Sequence, residues 1–187
     1  IGSNDGTLLN QFKKLDCKNV FGVEPTNTIK FQIKKGINSL QKFFDNSAAK
    51  YIKKKQGKAK IIITTNVFAH SNKMRDFLTG VKNLLAKDGV FIIENHYLVD
   101  VIKKRQFDTF YHEHLRTYSL KSLIKFLEFY DMKIIDAYRS ERYGGNIQAH
   151  FVHKNNKIIK SKNINSILSY EKKMELDKIK TYIKFKN

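Results

Sequence analysis

The stretch Ile1-Gly-Ser-Asn-Asp-Gly-Thr-Leu-Leu9 decides the fold, because its composition is typical of a glycine turn that leads from the end of a strand into a helix. Glycine lets the backbone come close to a ligand, and the first turn of a helix offers free amide donors. Roughly twenty residues later, Glu24 closes a run of strand length, where an acidic side chain can accept both hydroxyls of a ribose. An ordinary tight turn would explain the glycines alone, but together the two features predict a nucleoside cofactor.

The side chains inside this turn narrow the choice of cofactor. The turn lacks the G-x-G-x-x-G spacing of pyrophosphate-binding loops, and Asn4 and Asp5 add acceptors and a negative charge that would repel a pyrophosphate. A cationic or zwitterionic ligand fits such a turn better. We therefore predict S-adenosylmethionine, which carries a sulfonium and an amino group.

Beyond the turn, short apolar runs alternate with amphipathic ones. Strands alternating with helices predict a parallel sheet with right-handed crossovers, and hence an α/β fold. The predicted helices place apolar residues on one face, for example Ile29 with Ile33. We expect seven strands, mostly parallel, with helices on both faces of the sheet. The predicted strands span 20–24, 60–65, 90–94, 133–138 and 146–153, and the predicted helices span 7–15, 28–35, 74–85 and 119–130.

The last two predicted strands are joined through Gly144-Gly145, so we expect them to pair antiparallel at one edge of the sheet. From about Ile164 the chain continues as a charged helical segment with little of its own to pack on. Because the chain opens with Ile1 inside the turn, we expect the start of its domain to be truncated. We predict one domain over residues 1–158 and, over 159–187, a linker helix leading to a missing C-terminal domain.

The composition excludes several classes of protein. A hydrophobic fraction of 41% excludes disorder, and the single cysteine, Cys17, excludes an intrachain disulfide framework and favours a cytoplasmic enzyme. No apolar run is long enough to cross a membrane. The net charge of +19 suggests nucleic-acid binding, but lysines spread along the chain supply most of it, whereas nucleic-acid readers concentrate arginines. We do not expect nucleic acid or membrane as a partner.

Tyr111-His112-Glu113-His114 places four ionisable side chains in consecutive positions. Imidazole exchanges protons near neutral pH, and a neighbouring carboxylate or phenol can orient it or stabilise charge. The alternative is a polar loop with two solvated histidines. Phe107, Phe110 and Leu115 bracket the tetrad, so we predict that they hold it against a core.

Several motifs follow one another along the chain: Ile1–Leu9, Gly22-Val-Glu-Pro25, Asn66-Val-Phe-Ala-His70, Asp88–Glu94, Gln106–Leu115 and Gly144-Gly145. With these motifs in this order, the chain resembles the S-adenosylmethionine-dependent sugar C-methyltransferases, which methylate a carbon of a keto-deoxysugar carried on a nucleoside diphosphate. The resemblance implies the Rossmann-like class I methyltransferase fold over residues 1–158. It also implies a three-part protein, with an N-terminal zinc module before this domain and a C-terminal domain that helps to bind the nucleotide sugar.

The resemblance also implies roles for residues. Glu24 would hold the ribose hydroxyls, Phe43 and Phe44 would flank adenine or else be plain core aromatics, and Asn66 would lie under the sulfonium. The turn residues that would line the methionine and ribose end of the cofactor are Gly2, Asn4, Asp5 and Gly6.

Active-site positions are implied for His70, Tyr111, Glu113 and His114, whereas His112 would be structural and turned away from the substrate. Asn95-His96 stands where the family more often has Val-Pro. We expect His96 to be a solvated loop histidine, with an altered substrate pocket as the alternative.

The chemistry that such a site performs explains its residue types. A carbon next to a ketone becomes nucleophilic only after a base removes its proton and the enolate oxygen is stabilised. His114 is the predicted base, Tyr111 or His70 the predicted hydrogen-bond donor to the enolate, and Glu113 would fix the imidazole tautomer or bind a sugar hydroxyl. We predict no metal site. An O- or N-methyltransferase on the same fold is the main alternative, since its acceptor is already a nucleophile and needs fewer acid-base groups.

Overall fold

A computed structural model describes residues 1–186 of the chain, with the elements of an α/β fold. Short 3-10 helices at Phe68–His70, Phe107–Thr109 and Arg142–Gly144 interrupt the loops. The strands are β1 Phe21–Val23, β2 Asn38–Leu40, β3 Ala59–Thr65, β4 Leu85–His96, β5 Met132–Ser140 and β6 Asn146–His153. The helices are α1 Thr7–Lys14, α2 Ile29–Lys34, α3 Asn46–Gln56, α4 Met74–Leu84, α5 Leu98–Lys103, α6 Leu120–Glu128, α7 Asn163–Lys173 and α8 Ile179–Lys186.

The strands form two sheets. Strands β1 and β2 pair in parallel, and the larger sheet has the order β3-β4-β6-β5. Within it β3 and β4 are parallel, whereas β6 is antiparallel to both of its neighbours. Only β6 therefore runs against the other strands of this sheet, and the predicted antiparallel pair across Gly144-Gly145 is confirmed at its edge.

The number of strands differs from the expected seven, because residues 1–186 form six. In space, the first residues of the chain lie between strands β1 and β3, where they form no strand of their own. The Ile1 nitrogen donates to the Ile63 carbonyl at 2.8 Å, and the Gly2 amide donates to the Val23 carbonyl at 2.8 Å. Two backbone hydrogen bonds thus connect the sheets at the point where a further strand would be needed to join them.

The core lies where α3, α4 and α6 pack with the larger sheet. Phe68 is fully buried at its centre, with edge-on contacts to Phe77 and Phe91. Burial of such side chains stabilises the fold by about 1.5–3 kcal/mol each. The apolar stripe predicted for residues 74–85 is confirmed, since α4 buries Phe77, Leu78, Val81 and Leu84.

Helix α2 buries a different face from the predicted one. Ile29 is buried as expected, but Ile33 is 61% exposed and the polar Gln32 is fully buried in its place. Helix α1 likewise buries no residue completely, and Leu15 at its end is 75% exposed. Both helices lie beside the glycine turn, where polar contacts replace apolar ones.

Helix α7 packs against the rest of the domain. Helix α7 packs against β5 and α6 through Ile164 and Ile167, and the buried Glu171 accepts hydrogen bonds from the Leu120 and Lys121 amides. The expectation that this segment has little to pack on is therefore wrong for α7. Whether residues 159–187 link to a further domain stays a prediction. Among residues 1–186, no helix is long and apolar enough to cross a membrane.

Candidate functional site

The glycine turn of residues 2–6 is held close to β1 and β3. Gly2 and Gly6 adopt left-handed backbone angles, with φ of 62° and 77°. A Cβ atom on Gly2 would lie 2.2 Å from Val67 Cγ2, so only glycine fits there. The predicted glycine turn is present, and its backbone packs closely against the residues that follow β3.

The buried side chain of Gln32 holds the glycine turn through hydrogen bonds. Its side-chain amide donates to the Asn4 carbonyl at 2.6 Å, and its carbonyl oxygen accepts from the Ser3 and Ser39 hydroxyls. A Cβ atom on Gly22 would lie 1.9 Å from Gln32 Oε1, so the glycine in β1 makes room for this side chain. The sequence analysis missed Gln32, because a single glutamine on an amphipathic helix carries no signal of burial.

Glu24 follows β1 and binds the turn directly. The carboxylate is 6% exposed; Oε2 accepts from the Asn4 amide at 2.9 Å, and Oε1 accepts from the Thr26 amide at 3.0 Å and the Thr26 hydroxyl at 2.7 Å. A carboxylate offers about four acceptor positions. The chain itself fills three of these positions, so at most one, on Oε2, is left for the ribose hydroxyls predicted as its ligands.

Asp5 forms its contacts with the start of α1 and with α2. Its carboxylate accepts from the amide and the hydroxyl of Thr7 and pairs with Lys35 at 3.2 Å. The hydrogen bonds from Thr7, followed by Lys35, lower the pKa of Asp5 to about 2. Asp5 therefore orders the start of α1, and its contact with a cofactor stays a prediction.

The two phenylalanines after β2 have separate environments. Phe44 is buried and packs edge-on against Phe77, with ring centroids 5.2 Å apart. Phe43 is 77% exposed. The contacts of Phe44 are those of a core aromatic, and Phe43 is the ring of the two that is free to stack on a nucleobase.

Asn66 lies at the carboxyl end of β3 with a left-handed φ of 52°. Its amide donates to the Glu94 carbonyl at 2.8 Å. The side chain of Glu94 is buried and accepts from Asn146 at 3.1 Å and from Gln148 at 2.9 Å. This network fixes the ends of β3, β4 and β6, and the place of Asn66 under the sulfonium stays a prediction.

Three histidines meet at the same end of the sheet. The ring of His114 lies 4.9 Å from that of His70 and 5.0 Å from that of His96, measured between centroids. All three are half-buried. The expectation of a solvated His96 is therefore wrong, because β4 extends to this residue and carries its ring into the cluster.

The hydrogen bonds of His114 define its tautomer. Nδ1 lies 2.8 Å from the Thr109 carbonyl, which can only accept, so Nδ1 carries the hydrogen. Nε2 of a neutral ring then accepts from the Tyr111 hydroxyl at 2.9 Å. The Thr109 carbonyl has the orienting role that the sequence analysis assigned to Glu113.

The other two members of the tetrad face solvent. The His112 side chain is 90% exposed and that of Glu113 is 59% exposed, and they contact each other at 3.9 Å. Tyr111 and His114 thus belong to the cluster with His70, whereas His112 is turned away as expected and Glu113 does not contact the His114 ring.

Contacts on both sides hold the tetrad loop in place. Arg116 donates to the Ser71 carbonyl at 2.7 Å, which ties the loop to the 3-10 helix that carries His70. Phe107 is 52% exposed and stacks on Phe185 of α8, with centroids 4.6 Å apart. The prediction that Phe107, Phe110 and Leu115 hold the loop against a core is wrong, because all three remain about half exposed.

The two rings beside His114 have lowered pKa values. Burial lowers the pKa of His70, and the positive charge that His114 would carry lowers it further. Burial also lowers the pKa of His96, followed by the effects of His114 and His70. His70 and His96 are therefore neutral near pH 7, a state in which each ring can donate one hydrogen bond and accept one.

The chain matches known methyltransferases. A family described as "Methyltransferase domain" matches residues 1–137. The C-methyltransferase NovU of Streptomyces niveus is 33% identical over 147 residues, which cover 78% of this chain and 35% of NovU. The chain thus spans about a third of the length of that relative.

Solved structures share the fold at low identity. A SAM-dependent methyltransferase of Anabaena variabilis superimposes with a TM-score of 0.58 and 15% identity, covering 81% of this chain and 74% of its own. The 1,6-didemethyltoxoflavin-N1-methyltransferase of Burkholderia thailandensis, solved with S-adenosylhomocysteine, gives 0.60 and 12%, covering 82% and 69%. The chain belongs to the methyltransferase domain family and shares the Rossmann-like class I fold of these solved methyltransferases.

Proposed function

We propose that this domain transfers a methyl group to a carbon next to the ketone of a nucleotide-linked keto-deoxysugar. The similarity to a C-methyltransferase supports transfer to carbon. The observation that carries the proposal is the His114 ring, whose Nδ1 is fixed on the Thr109 carbonyl and whose Nε2 faces the Tyr111 hydroxyl. An acceptor that is already a nucleophile has little need of such an oriented base.

His114 Nε2 takes the proton of the acceptor carbon, and the electron pair of the broken C–H bond moves into an enolate. The single lone pair of Nε2 becomes free for this proton when Tyr111 turns its hydroxyl away from the ring, and the same hydroxyl then donates to the developing enolate oxygen. In comparable sites, a positioned base contributes roughly 10²- to 10⁴-fold and an oxyanion donor roughly 10²- to 10³-fold. S-Adenosylmethionine supplies the methyl group, whose bond to sulfur breaks as the carbon–carbon bond forms, leaving the electron pair on sulfur.

His70 is the second donor available to the same oxygen. Its ring centroid lies 4.9 Å from that of His114, and its lowered pKa leaves it neutral, with one N–H to donate. Asn66 and the backbone of the glycine turn line the approach to the cofactor. Glu113, exposed at the rim, is free to bind a hydroxyl of the sugar or of its nucleotide.

The proposal also covers the substrate, the other domains of the parent protein and the location in the cell. The substrate is a nucleotide sugar, and the parent protein adds an N-terminal zinc module and a C-terminal domain, connected through residues 159–187, that completes the nucleotide-sugar site. Both the substrate and the cofactor are metabolites of the cytoplasm, which is the location that we propose. No metal takes part within this domain.

Two measurements test the proposal. Calorimetry with S-adenosylmethionine on this chain measures cofactor binding without a sugar. In the intact parent protein with S-adenosylhomocysteine, deuterium from solvent should enter a thymidine-diphosphate-linked keto-deoxyhexose at the carbon to be methylated. Methylation without any exchange at carbon would instead favour O- or N-methylation, the alternative on this fold.

A further inference from the structure

We propose that His96 is a substrate-binding residue, whose ring forms a hydrogen bond with an oxygen of the acceptor beside the carbon that His114 deprotonates. This inference rests on the proposed function, which assigns the base and the acceptor class but no partner to His96. It concerns the residue that holds the acceptor in orientation rather than the transfer of the proton.

The ring nitrogens of His96 are available to a ligand. Within residues 1–186, the rings of His114, His150 and His153 form side-chain hydrogen bonds, whereas those of His96, His70 and the exposed His112 form none. No His96 nitrogen is among the buried polar atoms that lack a partner, so both nitrogens reach solvent. A half-buried imidazole with two accessible and unpaired nitrogens can bind a ligand without breaking a contact of the fold.

The position of His96 brings its ring beside the predicted base. Its ring centroid is 5.0 Å from that of His114, which is close enough for both rings to touch neighbouring atoms of one sugar. Strand β4 also fixes the backbone at this residue, because His96 pairs with Asn146 of β6. A binding group on a paired strand is held more precisely than one on a loop.

The charge state of His96 suits an uncharged oxygen. Burial, with the two neighbouring histidines, lowers the pKa of this ring, so it is neutral near pH 7. A neutral ring carries one N–H that can donate and one nitrogen that can accept. A keto or hydroxyl oxygen of the sugar provides the matching group, whereas a phosphate would be better served by a cation.

The test compares His96→Phe and His96→Gln in the intact parent protein, with His112→Phe as the same change at an exposed position. The acceptor is a thymidine-diphosphate-linked keto-deoxyhexose. Phenylalanine keeps a ring but no nitrogen, so the KM for the acceptor should rise about 3- to 10-fold, as for one lost hydrogen bond. Glutamine keeps a donor and an acceptor and should restore most of the KM. The Kd of S-adenosylmethionine should stay unchanged in all three variants.

A KM in His96→Phe equal to that in His112→Phe would overturn the inference, as would a parallel loss of cofactor affinity, which would indicate a structural role. A second measurement does not depend on that variant folding. In the wild-type complex with S-adenosylhomocysteine, the ring resonances of His96, identified by their absence in His96→Gln, should shift when the nucleotide sugar is added; resonances that stay in place also overturn it. A wild-type protein that neither binds nor methylates the nucleotide sugar would defeat the proposed function itself, and with it this inference.

Discussion

Replacing Glu24 by alanine should weaken the binding of S-adenosylmethionine by an amount that the structure limits. Two acceptor positions on Oε1 and one on Oε2 are filled by the chain itself, which leaves one for a ribose hydroxyl. A hydrogen bond to a charged group contributes about 1.5–3 kcal/mol. One lost bond therefore predicts a Kd increase of roughly 10- to 150-fold, whereas two lost bonds would predict about the square of that factor.

The same contacts predict a loss of stability. Glu24 pairs the backbone amides of Asn4 and Thr26, and an unpaired buried amide costs about 1–3 kcal/mol. Glu24→Gln presents one oxygen where the carboxylate presents two, so one of these amides would face the NH2 group. Both variants should unfold at lower denaturant concentration than the wild type. A substitution at an exposed end of a strand would instead change the stability little.

Calorimetry with S-adenosylmethionine on folded protein measures the first effect, and urea unfolding followed by circular dichroism measures the second. Thr26→Val is the matched control, because it removes one hydroxyl donor from Oε1 and keeps the carboxylate. Its affinity for the cofactor should equal or exceed that of the wild type. A folded Glu24→Ala protein with a Kd within about 3-fold of the wild type would refute the assignment of Glu24 to the ribose.

Three further predictions follow from single side chains. In the intact parent protein, His114→Ala should lower turnover by roughly 10²-fold or more with the Kd of the cofactor kept, whereas His112→Ala should change turnover little; solvent exchange at the acceptor carbon measures the difference. Gln32→Ala removes three hydrogen bonds and should lower the free energy of unfolding by about 1.5–4.5 kcal/mol, as measured in urea. Asp5 has its folded pKa lowered from 3.8 to about 2, so it stabilises the fold above pH 4 and this contribution disappears as the pH falls toward 2. The wild type and Asp5→Asn should therefore differ in melting temperature at pH 6 and converge at pH 2.

Much of the fold could be predicted from the sequence because β-branched runs and amphipathic periodicity report burial directly. Strand 146–153 was predicted to the residue, and the stripe of α4 was predicted in full. Strand β2 was missed, since its three residues, Asn38 to Leu40, include two polar ones and give no periodic signal. The wrong face of α2 has a related cause: spacing predicts which residues share a face, but hydrogen bonds to Ser3 and Asn4 decided that Gln32 lies inside.

The site was predicted in outline and not in its contacts. The tetrad and the glycine turn are local in sequence, so their chemistry could be recognised from composition. The partners that set their geometry are backbone atoms or distant side chains, such as the Thr109 carbonyl on His114, and no side-chain type encodes them. His96 was misjudged for the same reason, because its role depends on how far β4 extends before the chain turns at Tyr97.

The segment from Asn66 to His70 connects the glycine turn to the histidine cluster. Its geometry predicts that cofactor affinity and proton abstraction can be changed separately. The left-handed turn at Asn66 places Val67 against Gly2, where a Cβ atom would come within 2.2 Å, and the following 3-10 helix brings the His70 ring to 4.9 Å from His114. In-line methyl transfer requires the donor, the acceptor carbon and the base to be aligned within a few tenths of an ångström. A five-residue segment bonded to β4 lies between the predicted cofactor turn and the tetrad loop, and Arg116 ties that loop to the residue that follows the segment. Changes in the loop should therefore alter proton abstraction and the KM of the acceptor while the affinity for S-adenosylmethionine, set on the other side of the same segment, stays constant.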